Sequence, residues 1–295
     1  MELRDTSTTP PTERQLLDDL RETLAETLPA DWRVALQAAP RYADATLVLT
    51  APDGRTAEVL VEAKSLVNAR DIPAIRAQLG LLDGGSDTWG LVASRYLSPR
   101  AREVLASTGV SYADATGNLR LQLSEPGLFL LREGASSDPW RTPDRPTNSL
   151  RGKPAARVVR ALVDLGRTWR IRELAQVAGT SLGSTSRTVD FLEREALIER
   201  DDAGSITGVD WPALIERWAA DYDLAKKRRV LRLLTPRGAA SIEKGLREWT
   251  GRYVISGSLA ADQWAPYAES RLALVYTDEA DTLAAELGLR EAPTR

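Results

Sequence analysis

At 295 residues, 43% hydrophobic and 27% charged, the chain has the composition of a soluble globular protein and the length for two or three domains. It contains neither cysteine nor histidine. That excludes disulfides, thiol nucleophiles, zinc clusters, Ser-His-Asp triads and histidine-based hydrolysis, and leaves any metal chemistry to Asp and Glu oxygens, which suit Mg²⁺ or Mn²⁺. The net charge of −3 offers no global attraction for nucleic acid. No apolar run approaches the roughly 18 residues of a membrane span, and the polar N-terminus is unlike a signal peptide, so a cytoplasmic protein without membrane contact is expected.

Residues 1–11, rich in Ser, Thr and Pro, read as disordered. Thr12 and Gln15 have the spacing of a capping box and stand just before Leu16, Leu17, Leu20, Leu24 and Leu28, which cover one stripe of a helix. Glu13 falls within that stripe, whereas Glu22 and Glu26 point away. A carboxylate there is either an N-terminal dipole partner or a ligand reaching over a sheet.

Next comes a β-hairpin: a strand from Asp44 to Leu49, the turn Pro52-Asp53-Gly54, and a strand from Val59 to Lys64. Centred on Asp53, the pairing sets Asp44 opposite Glu62, and opposed antiparallel residues have Cβ atoms about 4.5–5.5 Å apart. Lys64 shares the face of Glu62. Two carboxylates and an ammonium then converge at one spot, or else Glu58, Glu62 and Lys64 form a solvated strand face. Two carboxylates with water and phosphate are a usual Mg²⁺ set, and a lysine beside the ion can position or deprotonate the attacking water.

Further on, Asp71 can cap a helix over Ile72–Leu82, which carries Gln78. Trp89–Ser94 reads as a buried strand, and Ser98-Pro99 opens a helix that Gly109 closes. Val110–Tyr112, Leu119–Leu123 and Leu128–Leu131 read as strands. Asp114 and Asn118 belong to the turn Asp114–Asn118 rather than to a ligand set.

On Asp44 and the triplet Glu62-Ala63-Lys64, the first part of the chain resembles the PD-(D/E)XK, or restriction-endonuclease-like, nuclease superfamily. The resemblance implies an α/β fold with an α-β-β-β-α-β core over residues 1–133. It implies metal ligation by Asp44 and Glu62 and a catalytic role for Lys64. The opening Glu13-Arg-Gln-Leu-Leu-Asp-Asp-Leu is similar to the first helix of archaeal-type Holliday-junction resolvases, which implies that Glu13 joins the catalytic site. The superfamily also places a polar residue on the helix that here carries Gln78.

Residues 134–152, with Ser136, Ser137, Pro139, Pro143 and Pro146, read as a linker. Charge then shifts: from Arg141 to Arg200 there are twelve Lys/Arg against seven Asp/Glu, a net of +5, so the remainder carries −8. A basic segment in an acidic chain is the local footprint of nucleic-acid binding. Helices over Ala155–Leu165, Ile171–Ala178 and Leu182–Leu197, a turn at Gly179, and a hairpin from Ile198 to Val209 resemble a winged helix-turn-helix, assigned to residues 153–222. Leu182, Val189, Leu192 and Ala196 are expected to face inward, and Ser184, Arg187, Asp190 and Arg194 outward. By resemblance, Thr180, Ser181, Ser184, Thr185 and Arg187 meet bases or phosphates in the major groove, and Lys153, Arg157, Arg170 and Arg172 hold the backbone. Winged helices also dock proteins, and Asp201 and Asp202 at the wing tip repel phosphate.

Residues 223–295 read as a small α/β domain. It is preceded by a helix over Trp211–Leu224 and contains the basic run Lys226–Arg229, a helix from Thr235-Pro236, strands at Tyr253–Gly257 and Leu272–Tyr276, and a helix to Leu287. A nucleotidyltransferase reading of Gly257-Ser258 fails for want of paired carboxylates. With the winged helix, Leu234-Thr-Pro-Arg-Gly238 and Ile255–Ala261 resemble type IV (AbiE-type) antitoxins, whose domain runs on past this chain's last residue, so an incomplete last domain is one expectation. Two functions stay open: Mg²⁺-dependent hydrolysis of double-stranded DNA at sites chosen by the winged helix, or a non-catalytic antitoxin-like repressor that uses the nuclease fold for dimerisation or docking. A homodimer and a toxin-like protein partner of the last domain are the corresponding expectations.

Overall fold

Thr12 opens the first helix, α1 (Glu13–Thr27). Its hydroxyl accepts the Gln15 N–H at 3.4 Å while Gln15 Oε1 accepts the Thr12 N–H at 2.9 Å, so two otherwise orphan donors are satisfied. The computed structural model describes residues 9–81, 89–140, 149–222, 229–235, 238–267 and 270–292. Residues 1–8, Leu82, Pro143, Pro146, Leu224, Lys226–Arg228 and Pro236, on which expectations fell, lie outside them. Among the described residues the fold is mixed α/β, with a seven-stranded mixed sheet and ten helices. None of the helices is long and apolar enough to cross a membrane.

Residues 1–222 form one compact unit and residues 223–295 another. In the first unit the sheet runs in chain order: β1 (Arg33–Gln37), β2 (Ala45–Thr50), β3 (Thr56–Lys64), β4 (Trp89–Ser94), β5 (Ser111–Asp114), β6 (Leu119–Leu123) and β7 (Leu128–Arg132). The two parallel pairings, β3 with β4 and β4 with β5, require crossovers. These are supplied by α2 (Ile72–Gln78) and α3 (Pro99–Ser107). Alternation along β3 divides the sheet into two faces. Val59, Val61 and Ala63 pack with Leu16, Leu20 and Leu24 of α1, while Leu60 packs with Ile72, Ile75, Leu97, Leu105 and Val92 on the opposite side.

The β2–β3 hairpin has the register expected from its turn, from Thr50↔Thr56 to Ala45↔Val61. Asp53 Oδ1 accepts the Arg55 N–H at 3.0 Å, and Gly54 takes φ +85°, which a side chain would strain. Three local readings differ from the structure. Strand β1 lies outside the strands expected from the sequence, although Pro29 and Asp31 mark the turn before it, where the Trp32 N–H donates to the Pro29 carbonyl at 3.0 Å. Helix α2 is preceded by a 3-10 turn, and Asp71 accepts the Asn68 N–H at 2.9 Å to close that turn instead of capping α2. The start of the expected linker is tied to the sheet lobe: Tyr96 OH donates to the Ser136 carbonyl at 2.9 Å, and Arg95 pairs with Asp138 at 3.0 Å.

The helical lobe of this unit comprises α4 (Lys153–Asp164), α5 (Ile171–Ala178), α6 (Leu182–Arg194), the hairpin β8 (Ile198–Arg200) and β9 (Ile206–Val209), and α7 (Trp211–Asp221). Its core joins Val158, Val159, Leu162, Trp169, Leu174, Val189, Leu192, Ile206 and Leu214. Gly179 ends α5 at φ +60°, the left-handed turn that glycine adopts without penalty. Trp169 adds a bridge to Ile206, with bonds of 3.0 and 2.8 Å, a third strand position the sequence reading lacked. Against expectation Leu182 stands 47% exposed. Ala196 lies beyond α6 and packs against the core of the sheet lobe. Polar links join the lobes: Arg70 to Glu193 at 3.3 Å, Ser98 Oγ to Glu195 at 3.3 Å and Arg100 to Asp210 at 3.4 Å.

The second unit holds β10 (Leu233–Leu234), α8 (Ala239–Glu248), β11 (Tyr253–Ser256), α9 (Gly257–Ala261), β12 (Leu274–Thr277), α10 (Ala280–Glu286) and β13 (Arg290–Glu291). β11 pairs with β12 and β10 with β13. Gly257 starts a helix directly after β11 rather than a turn, and β12 starts at Leu274 rather than Leu272.

Leu47 is fully buried between α1 and the sheet. Leu47→Ala is therefore expected to cost about 2–5 kcal/mol and Thr12→Ala about 1 kcal/mol. Urea midpoints at an unchanged m-value measure both, and a smaller loss for Leu47→Ala than for Thr12→Ala would contradict this packing.

Candidate functional site

The C-terminal ends of parallel strands are where helix crossovers leave a crevice open to ligands. In register across this end lie Lys64 of β3, Ser94 of β4 and Asp114 of β5. Glu62, one alternation earlier on the same face, is 3% exposed beneath α2. Burying a carboxylate is costly unless it is paired and hydrogen-bonded, and Glu62 has both kinds of partner. Lys64 Nζ donates to Oε1, and Gln78 Nε2 on α2 donates to Oε2 at 2.8 Å. The same Gln78 amide also donates to the Tyr42 carbonyl at 3.0 Å.

Asp44 meets this pair from the other strand of the hairpin, though not as a ladder partner of Glu62. The ladder ends at Ala45↔Val61, and the Asp44 N–H donates to the Val61 carbonyl at 3.0 Å. Its carboxylate crosses the strand end, where Oδ2 accepts the Ala63 N–H at 2.8 Å. That donor lies past the last β2 pairing, so Asp44 also satisfies an otherwise orphan backbone group. The first acid is thus anchored between the two residues of Glu62-Ala63-Lys64 that bear charge. Beside Glu62, and with the charges of Asp44 and Glu13 adding to the effect, the Lys64 ammonium is held above the ordinary lysine value of 10.5.

Glu13 is exposed at the first turn of α1, the helix that covers the sheet face opposite Glu62. Its charge reaches Lys64. Among the described residues, however, no three Asp or Glu side chains gather as a metal-binding group, so Glu13 stands outside a ligand cluster with Asp44 and Glu62. The remaining donor chemistry still fits a hard cation: an ionised carboxylate offers about four lone-pair sites, and Asp44 and Glu62 use only part of theirs. Asp114 serves the turn. Its oxygens accept from Leu97 N (3.0 Å), Thr116 N (2.9 Å), Asn118 N (3.1 Å) and Asn118 Nδ2 (2.9 Å).

In the helical lobe, Lys153, Arg170, Arg172, Ser181 and Arg187 are exposed, and Thr180 and Ser184 are half-buried. Ser181 Oγ caps α6 by accepting the Ser184 N–H at 3.3 Å, and Arg187 Nη2 donates to Ser184 Oγ at 3.3 Å. Two expected contacts point elsewhere. Thr185 is fully buried, its hydroxyl bonded to the Ser181 carbonyl at 3.0 Å and to Thr180 Oγ1 at 2.7 Å. Arg157 donates to the Gly179 carbonyl at 2.9 Å and so closes the end of α5. Thr185 falls on the inward stripe with Thr188, Val189 and Leu192, an i, i+3, i+4, i+7 pattern legible in the sequence.

Removing the ammonium alone leaves Glu62 buried with a neutral partner. Lys64→Met is expected to cost about 1–3 kcal/mol, less than a fully buried pair because 39% of the Lys64 side chain is exposed. Glu62→Leu combined with Lys64→Met should cost less than Lys64→Met alone. Since the lysine value is raised in the folded state, the contribution of this pair is complete below pH 10.5 and fades only as pH rises through the raised value. Urea titrations of the double-mutant cycle from neutral to alkaline pH measure this, and additive single costs would show that the pair is not coupled.

Comparison of the chain with protein-family models, with curated proteins and with solved structures finds no match.

Proposed function

We propose that the protein is a DNA-binding, divalent-metal-dependent phosphodiesterase: a restriction-endonuclease-like lobe performs hydrolysis, and a winged helix-turn-helix selects the site. The observation that carries this reading is Glu62, a carboxylate sealed under α2 and joined to Lys64, with Asp44 bonded to the N–H of the intervening Ala63. An apolar side chain would fill that buried position more cheaply, so a chemical use for the charge accounts for its presence.

Asp44 and Glu62 would hold Mg²⁺ or Mn²⁺ with water and a substrate phosphate completing the shell. When bound, such an ion polarises a phosphoryl oxygen and lowers the pKa of water. Lys64 enters the reaction as a cation, since its surroundings favour the ammonium. It orients the attacking water through its N–H groups and offsets charge on the phosphate. Gln78 keeps the Glu62 carboxylate aimed. Glu13 contributes through its field alone.

The exposed Lys153, Arg170, Arg172 and Arg187 supply phosphate contacts, and Ser181 and Ser184 stand at the N-terminus of the helix that would enter the major groove. A second reading draws on the engagement of both Glu62 oxygens. A site closed on its own lysine and glutamine suits a silent fold that serves dimerisation or partner docking in an antitoxin-like repressor.

Both readings predict DNA affinity that falls steeply with salt, because Lys and Arg displace condensed counterions. Only the first predicts that supercoiled plasmid is nicked with Mg²⁺ or Mn²⁺, with loss of at least 100-fold in rate, on the order of 3 kcal/mol, in Asp44→Ala and Lys64→Ala, while filter binding is retained. Plasmid, gapped duplex and single-stranded DNA all left intact with either metal and across varied sites would leave the repressor. No affinity at low salt would end both.

A further inference from the structure

Immediately before Asp44 the chain makes a tight reversal in which the Ala43 N–H donates to the Pro40 carbonyl at 3.0 Å. Arg41 and Tyr42 thereby occupy the two central positions of a β-turn, the tip of the loop that delivers Asp44 to the strand end. This tip is fixed relative to the site by one side chain: Gln78 Nε2 donates both to the Tyr42 carbonyl at 3.0 Å and to Glu62 Oε2 at 2.8 Å. Both turn residues project into solvent. Tyr42 is 49% exposed, and Arg41 is exposed and forms no ion pair among the described residues.

A tyrosine left half in water, on a backbone locked to a buried carboxylate, contributes little to folding. An exposed arginine beside it, with no carboxylate partner among the described residues, is likewise open to an anion. Together a guanidinium and an aromatic face match the two halves of a nucleotide, its phosphate and its base. A base in an intact duplex has both faces covered by its neighbours, so a ring can stack on it only where the strand is unpaired or opened.

From this placement we infer that Arg41 and Tyr42 form a nucleotide clamp at the rim of the site, and that the substrate class is DNA with an unpaired nucleotide at the scissile position, as in a gap, flap or single strand. The inference rests on the DNA-hydrolase reading above and deepens it by naming the substrate. Arg41 grips the phosphate beside the scissile one. Tyr42 stacks on the exposed base, and Gln78 transmits the register of that turn to Glu62.

Binding without metal separates this inference from the reading it rests on. The full chain is titrated in EDTA with a fully paired duplex and with the same duplex carrying a short single-stranded gap, with 2-aminopurine placed in the gap. Wild type is expected to favour the gapped form and to quench the probe on stacking. Tyr42→Ala should weaken gap binding about 5- to 150-fold and abolish the quench with duplex affinity unchanged. Tyr42→Trp should retain both. Arg41→Ala should weaken both DNAs and flatten the salt dependence. Equal affinity of wild type for the two DNAs, or an equal loss on both in Tyr42→Ala, would overturn the clamp while leaving duplex cleavage as the function. Absence of binding to either DNA would remove the parent reading as well.

Discussion

The sheet lobe depends on keeping one carboxylate, that of Glu62, out of water. Its position on β3 follows from strand alternation: the residues before and after it, Val61 and Ala63, pack under α1, so Glu62 must enter the opposite layer beneath α2. An isolated ion there would cost several kcal/mol. The Lys64 ammonium and the Gln78 amide offset that cost, and each does so only in one geometry. Lys64 must lie two residues on along the same strand. Gln78 must sit on the last turn of α2, which fixes where that helix crosses the sheet. The second bond of Gln78, to the Tyr42 carbonyl, extends the constraint to the loop before β2. Helix, strand and loop thus meet at a single buried charge.

Asp44 shows how a structural need and a chemical one fall on the same atoms. By ending at Ala45, β2 leaves the Ala63 N–H without a strand partner, and the Asp44 carboxylate takes it up. The bond also holds the acid at the backbone between Glu62 and Lys64, near enough for its charge to act on the Lys64 ammonium. Glu13 lacks such a device. It begins a helix on the far face, its backbone ordered by the Thr12–Gln15 cap, and only its field extends to Lys64.

What was legible in the sequence tracks how local the governing physics is. The hairpin register followed from Pro52-Asp53-Gly54, because turn chemistry sets pairing over its neighbours. It failed by one step at Asp44, where the ladder gives way to a side-chain bond. The α1 cap was readable from two residues. Val189 and Leu192 make the inward stripe of α6 legible, and spacing extends it to Leu182; that leucine, however, is the first residue of the helix and stands exposed, and Thr185 and Thr188 complete the buried stripe. Arg157 was assigned to phosphate because it is basic. Its engagement with the Gly179 carbonyl depends on α4 crossing the end of α5, a tertiary fact with no local signal. The relation of the Arg41–Tyr42 tip to Glu62 has no local signal either, since it runs through a glutamine more than thirty residues away.

The contact between the lobes bears on how a charged ligand would be shared between them. Glu193 binds both Arg200 at the base of the β8–β9 hairpin and Arg70 in the turn before α2, each at 3.3 Å. The helix that carries Ser184 and Arg187 is therefore joined through its last turn to the element preceding Gln78. Glu195, whose carboxyl is pushed up by burial, is held by Ser98 at the start of α3. These links are short and polar, and each side is anchored in its own apolar core. Such a junction ties the helix that bears Ser184 and Arg187 to the turn before α2 and to the start of α3. In a chain of net charge −3 whose residues 149–222 hold eleven basic and eleven acidic side chains, attraction for a polyanion in the proposed chemistry would fall to individual exposed cations such as Lys153, Arg170, Arg172 and Arg187. An acidic centre needs a cation to accept phosphate at all, so in the proposed chemistry the exposed cations of the helical lobe and the metal solve two parts of one electrostatic problem.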